Sequence, residues 1–339
     1  MALSLPLPME ARLVAELPEP PGWQYEPKWD GFRAIVGREG NKADIRSKSG
    51  KSLARFFPEI IDALLGTTLK RFVLDGELIL PVGDILSFDA LQQRLHPAES
   101  RISRLSKETP AQLMLFDCLM AAGDVLKDSP LFDRRAALEH FHAAEGSATL
   151  LLSPASRRIE DARAWLERHG GALDGIIAKP LDLPYRSGER AMLKRKNARS
   201  ADCVVGGFRR TSDSRGAASL LLGLYDDAGA LHHVGFTSSF KATERAALLE
   251  RLEKHVGGPG FTGKAPGGPS RWNGGEESPW EPLRPELVVE VIYDQVTGGR
   301  FRHGTRFLRW RPDKAPRQCG CDQLRAELRP AELAQFLAR

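Results

Sequence analysis

Two strand-like apolar runs, Gln24-Tyr25 and Ala34-Ile35-Val36, flank the octapeptide Glu26-Pro27-Lys28-Trp29-Asp30-Gly31-Phe32-Arg33. Asp-Gly accepts the backbone of a tight turn, so this arrangement predicts a hairpin with Lys28 as a strand lysine in solvent. The spacing carries a second reading. Lys-x-Asp-Gly-x-Arg sets an amine two residues before the turn and a guanidinium two residues after it. An amine held beside cations and metal can lose its proton and attack phosphorus, while the arginine holds the nucleotide.

The same dipeptide returns twice in apolar surroundings. Phe72-Val73-Leu74-Asp75-Gly76-Glu77-Leu78-Ile79-Leu80 reads as a strand pair with an acid-Gly-acid interruption. Burying a carboxylate there is costly unless it is paired, so Asp75 or Glu77 is expected to meet a cation, an amine or a metal. Leu173-Asp174-Gly175-Ile176-Ile177-Ala178-Lys179 is the third instance. By composition, Leu113-Met114-Leu115-Phe116-Asp117-Cys118-Leu119 is a buried strand in which Phe116 belongs to the core. Met192-Leu193-Lys194-Arg195-Lys196 puts Lys194 and Lys196 on one strand face. Charge runs read as solvated loops from Lys42 to Lys51 and around Arg101, Arg104 and Lys107. Arg306-Phe307-Leu308-Arg309-Trp310-Arg311-Pro312-Asp313-Lys314 forms a basic stripe suited to a phosphate chain.

In order and separation these segments resemble the motifs of the covalent nucleotidyltransferase superfamily, the ATP-dependent polynucleotide ligases and mRNA capping enzymes. Lys28-x-Asp30-Gly31 matches the motif that carries the covalently modified lysine. Ser47-Lys48-Ser49-Gly50, followed by Phe57-Pro58-Glu59, matches Ser-Arg-x-Gly with a lysine in place of arginine, which leaves Lys48 or Arg46 for the ribose or phosphate contact. The resemblance implies that Glu77 binds divalent metal or the ribose, and that Phe116 and Ile177 enclose the adenine. Asp174 stands where the family has glutamate and would reach a metal directly or through water. Lys179, Lys194 and Lys196 are expected at phosphates. Arg309, Arg311 and Lys314 are expected at the β- and γ-phosphates when the C-terminal domain closes. Glu26 is placed to accept from the adenine 6-amino group, which would disfavour GTP.

The reaction so implied starts with neutral Lys28 attacking the α-phosphate of ATP, with Mg2+ or Mn2+ as the metal. Lysyl-AMP forms, AMP passes to a 5′-phosphate at a nick, and the adjoining 3′-hydroxyl displaces it. The text around Lys28 and Arg309 looks most like the small two-domain bacterial C-type DNA ligases. That implies nicked double-stranded DNA as the partner and a repair role, with repair polymerases or Ku-like end-binding proteins as candidate partners. An RNA ligase shares the phosphate chemistry, and its 2′-hydroxyl contacts are not displayed in sequence. A non-catalytic OB-type binder leaves the ordered carboxylates and lysines unexplained.

The expected fold class is α+β. An ATP-grasp-like adenylation (nucleotidyltransferase) domain of antiparallel sheets and helices over residues 1–199 precedes a C-terminal OB-fold β-barrel over 200–339. The first domain begins with a proline-rich surface run over residues 1–22. It then has helices starting at Pro58, after a Ser87 cap, near Leu131 to Phe141 and near Glu160 to Arg168, the last stopped by Gly170-Gly171. In the second, strands Cys203 to Phe208, Leu220 to Tyr225, Leu231 to Phe236, Leu287 to Ile292 and Thr305 to Trp310 surround one helix, Ala242 to His255, and a Gly/Pro-rich loop from Gly257 to Pro282. Net charge is +5 over 339 residues, so a polyanion would be met by local patches. Four unevenly spaced cysteines fit a reduced, cytoplasmic bacterial setting, and Cys319-Gly320-Cys321 lacks the second pair that zinc requires. No run reaches the length of a membrane span, and a monomer is expected.

Overall fold

The computed structural model describes residues 5–83, 85–169, 173–197, 199–267 and 279–324. The Gly170-Gly171 helix stop, residues 268–278 of the Gly/Pro-rich loop, Ala198 of the linker and the first four residues lie outside the described residues. Chain contacts divide at Asn197 into two compact units, the second running over Ala198–Arg325.

In the first unit the main elements are β1 (Ala11–Leu13), β2 (Trp23–Pro27), β3 (Phe32–Glu39), β4 (Lys42–Ser47), α1 (Pro58–Gly66), β5 (Arg71–Ile79), α2 (Phe88–Gln93), α3 (Glu99–Glu108), β6 (Gln112–Ala121), α4 (Leu131–Glu145), β7 (Leu150–Leu152), α5 (Ile159–His169), β8 (Gly175–Pro180) and β9 (Met192–Lys196). They build two sheets, ordered β1-β9-β8-β2 and β7-β6-β5-β3-β4. One face of the larger sheet packs on helices through Val36, Leu74, Leu115, Ile60, Leu64 and Leu138. Its other face supplies Ile35, Val73 and Leu119, which pack against Met9, Tyr185 and Met192.

The expected opening hairpin does not form. β2 pairs with β8 in the smaller sheet, whereas β3 pairs with β4 and β5 in the larger, so residues 28–31 carry the chain across from one sheet to the other. Gly31 is required there by close approach, because a Cβ would collide with the Leu78 carbonyl oxygen. The true hairpin is the next one: β3 and β4 join through Gly40-Asn41, with Gly40 at φ +60°. Residues 42–47 are thus strand rather than loop. Phe72 to Leu80 is not a strand pair, since β5 runs unbroken through Asp75-Gly76-Glu77. Arg101, Arg104 and Lys107 lie on α3, not in a loop. Residues 1–22 are not simply a surface run either, as β1 pairs in parallel with β9 and Met9 is buried. Other local signals hold: Ser87 Oγ caps α2 by accepting from Ala90 N at 3.2 Å, and Pro58 opens α1 with Ile60 and Leu64 buried.

The second unit contains β10 (Arg199–Arg210), β11 (Ala217–Tyr225), β12 (Leu231–Thr237), α6 (Arg245–Glu253), β13 (Val288–Tyr293) and β14 (Arg306–Trp310). The sheet order is β12-β11-β10-β13-β14. Thr305 N donates to Phe236 O at 3.0 Å and Thr237 Oγ1 donates to Thr305 O at 2.9 Å, which brings the last strand back to β12 and closes the barrel. Closure removes exposed edges around a core of Val204, Phe208, Leu222 and Val289, covered by Leu248, Leu249 and Leu252 of the helix. Among the described residues no helix is long and apolar enough to cross a membrane.

Candidate active site

Register explains how distant segments meet in the first unit. Glu26 on β2 lies opposite Ile177 on β8, and Ile177 lies opposite Lys194 on β9. Side chains in one row of a sheet share a face at about 4.8 Å per strand, so Glu26, Ile177 and Lys194 stand side by side. In the larger sheet Arg33 on β3 lies opposite Glu77 on β5, and Ile35 lies opposite Asp75. The β5–β6 pairing slips between Asp75/Asp117 and Gly76/Leu115, leaving Phe116 as the extra residue of a bulge. That slip turns Phe116 toward Trp29, Met114 and Leu173 while Leu115 and Cys118 stay in the helix-side core.

These rows line a cleft whose walls include Glu26, Lys28, Arg33, Glu77, Phe116, Ile177 and Lys179. A neighbouring cleft is lined by Lys28, Arg33, Lys48, Ile177 and Lys194, together with Pro8, Met9, Glu10 and Ala11. Lys28 opens onto both. Its backbone N extends the β2–β8 ladder by donating to Gly175 O at 2.9 Å, and the adjacent Trp29 is pinned by a 2.9 Å bond from Nε1 to Ser153 Oγ. Gly175 has no room for a Cβ against the Arg195 carbonyl, which lets Asp174 come close beneath the lysine.

The Lys28 ammonium donates to Asp174 Oδ2. Burial alone would lower the amine's pKa, but the Asp174 charge and hydrogen bond, backed by Glu77 and Asp30, hold it above the usual lysine value. Lys28 is therefore charged in the free protein. Asp174 Oδ1 is buried and has no hydrogen-bond partner. Burial pushes Glu77 up to about 7 even though Arg33 and Lys28 pull it down. Lys194 is pushed down by burial and by the charges of Lys28, Lys196 and Lys48. Two acids with unspent acceptor capacity and a crowd of amines suit a divalent cation and a phosphate chain respectively.

Arg33 is committed to Asp75 through two 2.6 Å bonds, with its guanidinium 4.5 Å from the centre of the Phe116 ring. The fully buried Asp75 also accepts from Tyr185 Oη at 2.6 Å, and Tyr185 Oη accepts from Met9 N at 2.8 Å. Arg33 thus braces the aromatic wall rather than standing free to hold a ligand. Lys179 departs from its expected place at phosphate: its ammonium meets Glu26 at 2.8 Å and donates to Phe116 O at 3.1 Å, at the Glu26 end of the cleft. Glu26 accepts from Gln24 Nε2 at 2.7 Å as well. Arg46 is turned to Asp44 and the Gly50 carbonyl, whereas Lys48 lines the cleft and pairs with Glu10 at 3.0 Å. Lys196 lies opposite Gly175 and lines neither cleft.

In the second unit, Arg311 Nη1 and Lys314 Nζ each donate to Asp202 at 2.8 Å, and Arg309 Nε donates to Glu290 at 2.7 Å. The hydrogen bond to Asp313 raises the Arg311 pKa, and the bond to Asp202 raises that of Lys314. Sequence reasoning missed Tyr185, Met9 and Glu10. Three residues of β1 are too few for a periodic signal, and nothing around Tyr185 marks it out.

Residues 9–196 match the ATP dependent DNA ligase domain and residues 213–314 the ATP dependent DNA ligase C terminal region. The chain is 43% identical to DNA ligase C2 of Mycolicibacterium smegmatis, covering 94% of this chain and 93% of that protein. With DNA ligase C of Mycobacterium tuberculosis it shares 41% identity, covering 95% and 94% respectively. A solved structure from a structure-function analysis of Lig E DNA ligases, at 17% identity and a TM-score of 0.51, matches over 92% of this chain and 100% of that chain and supports the fold alone. The chain belongs to the ATP-dependent DNA ligase family, among the relatives of the small bacterial C-type enzymes.

Proposed function

We propose that this protein is a DNA ligase that seals 5′-phosphate/3′-hydroxyl nicks in double-stranded DNA through AMP carried on Lys28, in DNA repair. One observation carries the reading: the Lys28 amine lies where two clefts meet, with Phe116, Ile177 and Glu26 on one side and Lys48 and Lys194 on the other. A purine between Phe116 and Ile177, its edge toward Glu26, would direct its phosphates past Lys28 to the amines.

Lys28 becomes a nucleophile when its proton leaves. Taking Asp174 away from Lys28 removes the largest influence that opposes burial and moves the amine toward its neutral form. Asp174 and Glu77 are the residues that would hold Mg2+ or Mn2+, as the unpartnered Asp174 Oδ1 and the raised Glu77 pKa indicate. When bound, such a cation supplies charge neutralisation at the phosphates. In-line attack by the Lys28 nitrogen forms a nitrogen–phosphorus bond as pyrophosphate departs with the electron pair. Arg309, Arg311 and Lys314 act on that pyrophosphate. Glu26 favours adenine by accepting from its amino group, where guanine offers a repelling oxygen.

The test is incubation with labelled ATP or GTP, followed by mass spectrometry. AMP mapped to Lys28 and lost in Lys28→Ala supports the reading. Labelling by GTP alone overturns it, and sealing of nicked RNA in preference to nicked DNA would move the activity to RNA repair.

A further inference from the structure

Glu10 contributes the one carboxylate among the described residues lining the cation-rich cleft beside Lys28. Its backbone is fixed. Glu10 N donates to Glu189 O at 2.8 Å and Glu10 O accepts from Met192 N at 3.1 Å, leading into the β1–β9 ladder. The side chain stands between two cations, its Oε2 lying 3.0 Å from Lys48 and 3.8 Å from Arg190. Lys48 and Arg190 are themselves mostly exposed, so neither pairing is strong. A phosphate chain entering this cleft carries more negative charge than a carboxylate and competes for the same Lys48 ammonium.

We infer that Glu10 is a placeholder for the phosphate tail of ATP: it occupies Lys48 in the free protein, yields to the entering phosphates, and returns to Lys48 as pyrophosphate leaves. This rests on the ligase reading above. In the forward step the nitrogen–phosphorus bond to Lys28 forms and the bond to pyrophosphate breaks. In the reverse step a pyrophosphate oxygen attacks the same phosphorus and Lys28 leaves with the electron pair. A carboxylate waiting at Lys48 competes with both ATP entry and pyrophosphate return. Arg190 provides the alternative resting place while phosphate is bound. Lys28, Lys48 and Lys194 line one cleft, where burial and then the charges of Lys28, Lys196 and Lys48 depress the Lys194 pKa, so a carboxylate there relieves repulsion when no phosphate is bound.

Glu10→Gln keeps the shape and removes the charge. The expected result is a KM for ATP in Lys28 labelling lowered about two- to five-fold, the scale of one weak ion pair, with the maximal labelling rate unchanged or lower. The pyrophosphate concentration that strips half the AMP from the pre-labelled protein should fall by a similar factor. Arg190→Ala, which removes only the exposed alternative partner, should raise the KM for ATP. A Glu10→Gln protein whose KM and pyrophosphate sensitivity are unchanged, or whose KM rises as it would for a simple structural brace, overturns the inference. Wild-type protein that takes no label from ATP overturns the ligase reading itself; wild-type labelling with an unaltered Glu10→Gln protein overturns only the role of Glu10.

Discussion

Lys28 and Asp174, 146 residues apart, form an ion pair in which the acid is buried and the amine is about three-quarters buried. Desolvation lowers the Lys28 pKa, but the Asp174 charge and hydrogen bond, with Glu77 and Asp30, outweigh it, so the pair holds Lys28 in its charged form. Asp174→Asn removes the charge that raises the Lys28 pKa, and the amine should then lose its proton at lower pH. The rising limb of Lys28 labelling against pH is expected to move to lower pH, while the plateau falls by about ten-fold or more because a cation ligand is lost. Initial labelling rates across the pH range measure this, and a limb that stays in place contradicts the assignment.

Behind Phe116, the Arg33–Asp75 pair, Tyr185 and the Met9 backbone form one buried network. Asp75→Asn would leave the Arg33 guanidinium largely buried without its counter-charge, and urea unfolding should show a loss of about 3–5 kcal/mol. Tyr185→Phe removes one bond to a charged acceptor and orphans Met9 N, for which about 1.5–3 kcal/mol is expected. Equal and negligible losses in both variants would mean that the network does not brace the site.

Residues 28–31 show where sequence legibility ended. Lysine, glycine and arginine spacing pointed to the reactive amine, but the hairpin expected around it is a crossing between sheets, because pairing partners are set by Gly175 and Leu78 far along the chain. The acid-Gly-acid run was legible as a place where buried carboxylates need partners, and Asp75 found Arg33. Lys179 was read from its motif position alone; only the register that brings β8 beside β2 sends its ammonium to Glu26. The Phe116 wall depends on a bulge that no composition reveals. In the barrel, by contrast, the successive apolar strands and the Leu248, Leu249 and Leu252 face were local signals that tertiary packing had no reason to override.

Glu77 gives the fold a pH signature. Its folded-state pKa, about 7, lies above the 4.5 of an ordinary glutamate, so its contribution to stability is full below 4.5 and is lost as pH rises through 7. Between pH 5 and pH 8 without divalent metal, unfolding free energy should drop on the order of 1–3 kcal/mol from this group, discounted for its partial exposure. Glu77→Gln should flatten that dependence. Added Mg2+ should stabilise the wild type more at pH 8 than at pH 5, because a cation replaces the proton; equal stabilisation at both values would count against Glu77 as a ligand. Denaturant titrations at the two pH values, with and without metal, supply the comparison.

Arg311 separates two accounts of the C-terminal cations. If its guanidinium serves the departing pyrophosphate, Arg311→Ala should slow Lys28 labelling by about 10²–10³, the range for losing one charge-stabilising donor, yet leave sealing of a pre-adenylated nick within a few-fold. If it only braces β14 to β10 through Asp202, both steps and thermal stability should fall together. Asp202→Asn adds the sign: it weakens the hold on both Arg311 and Lys314, so a catalytic pair is left with its charges available and labelling is retained, whereas a structural pair loses its anchor. Step-resolved assays on the two variants therefore distinguish phosphate chemistry from packing without depending on how tightly the whole protein folds.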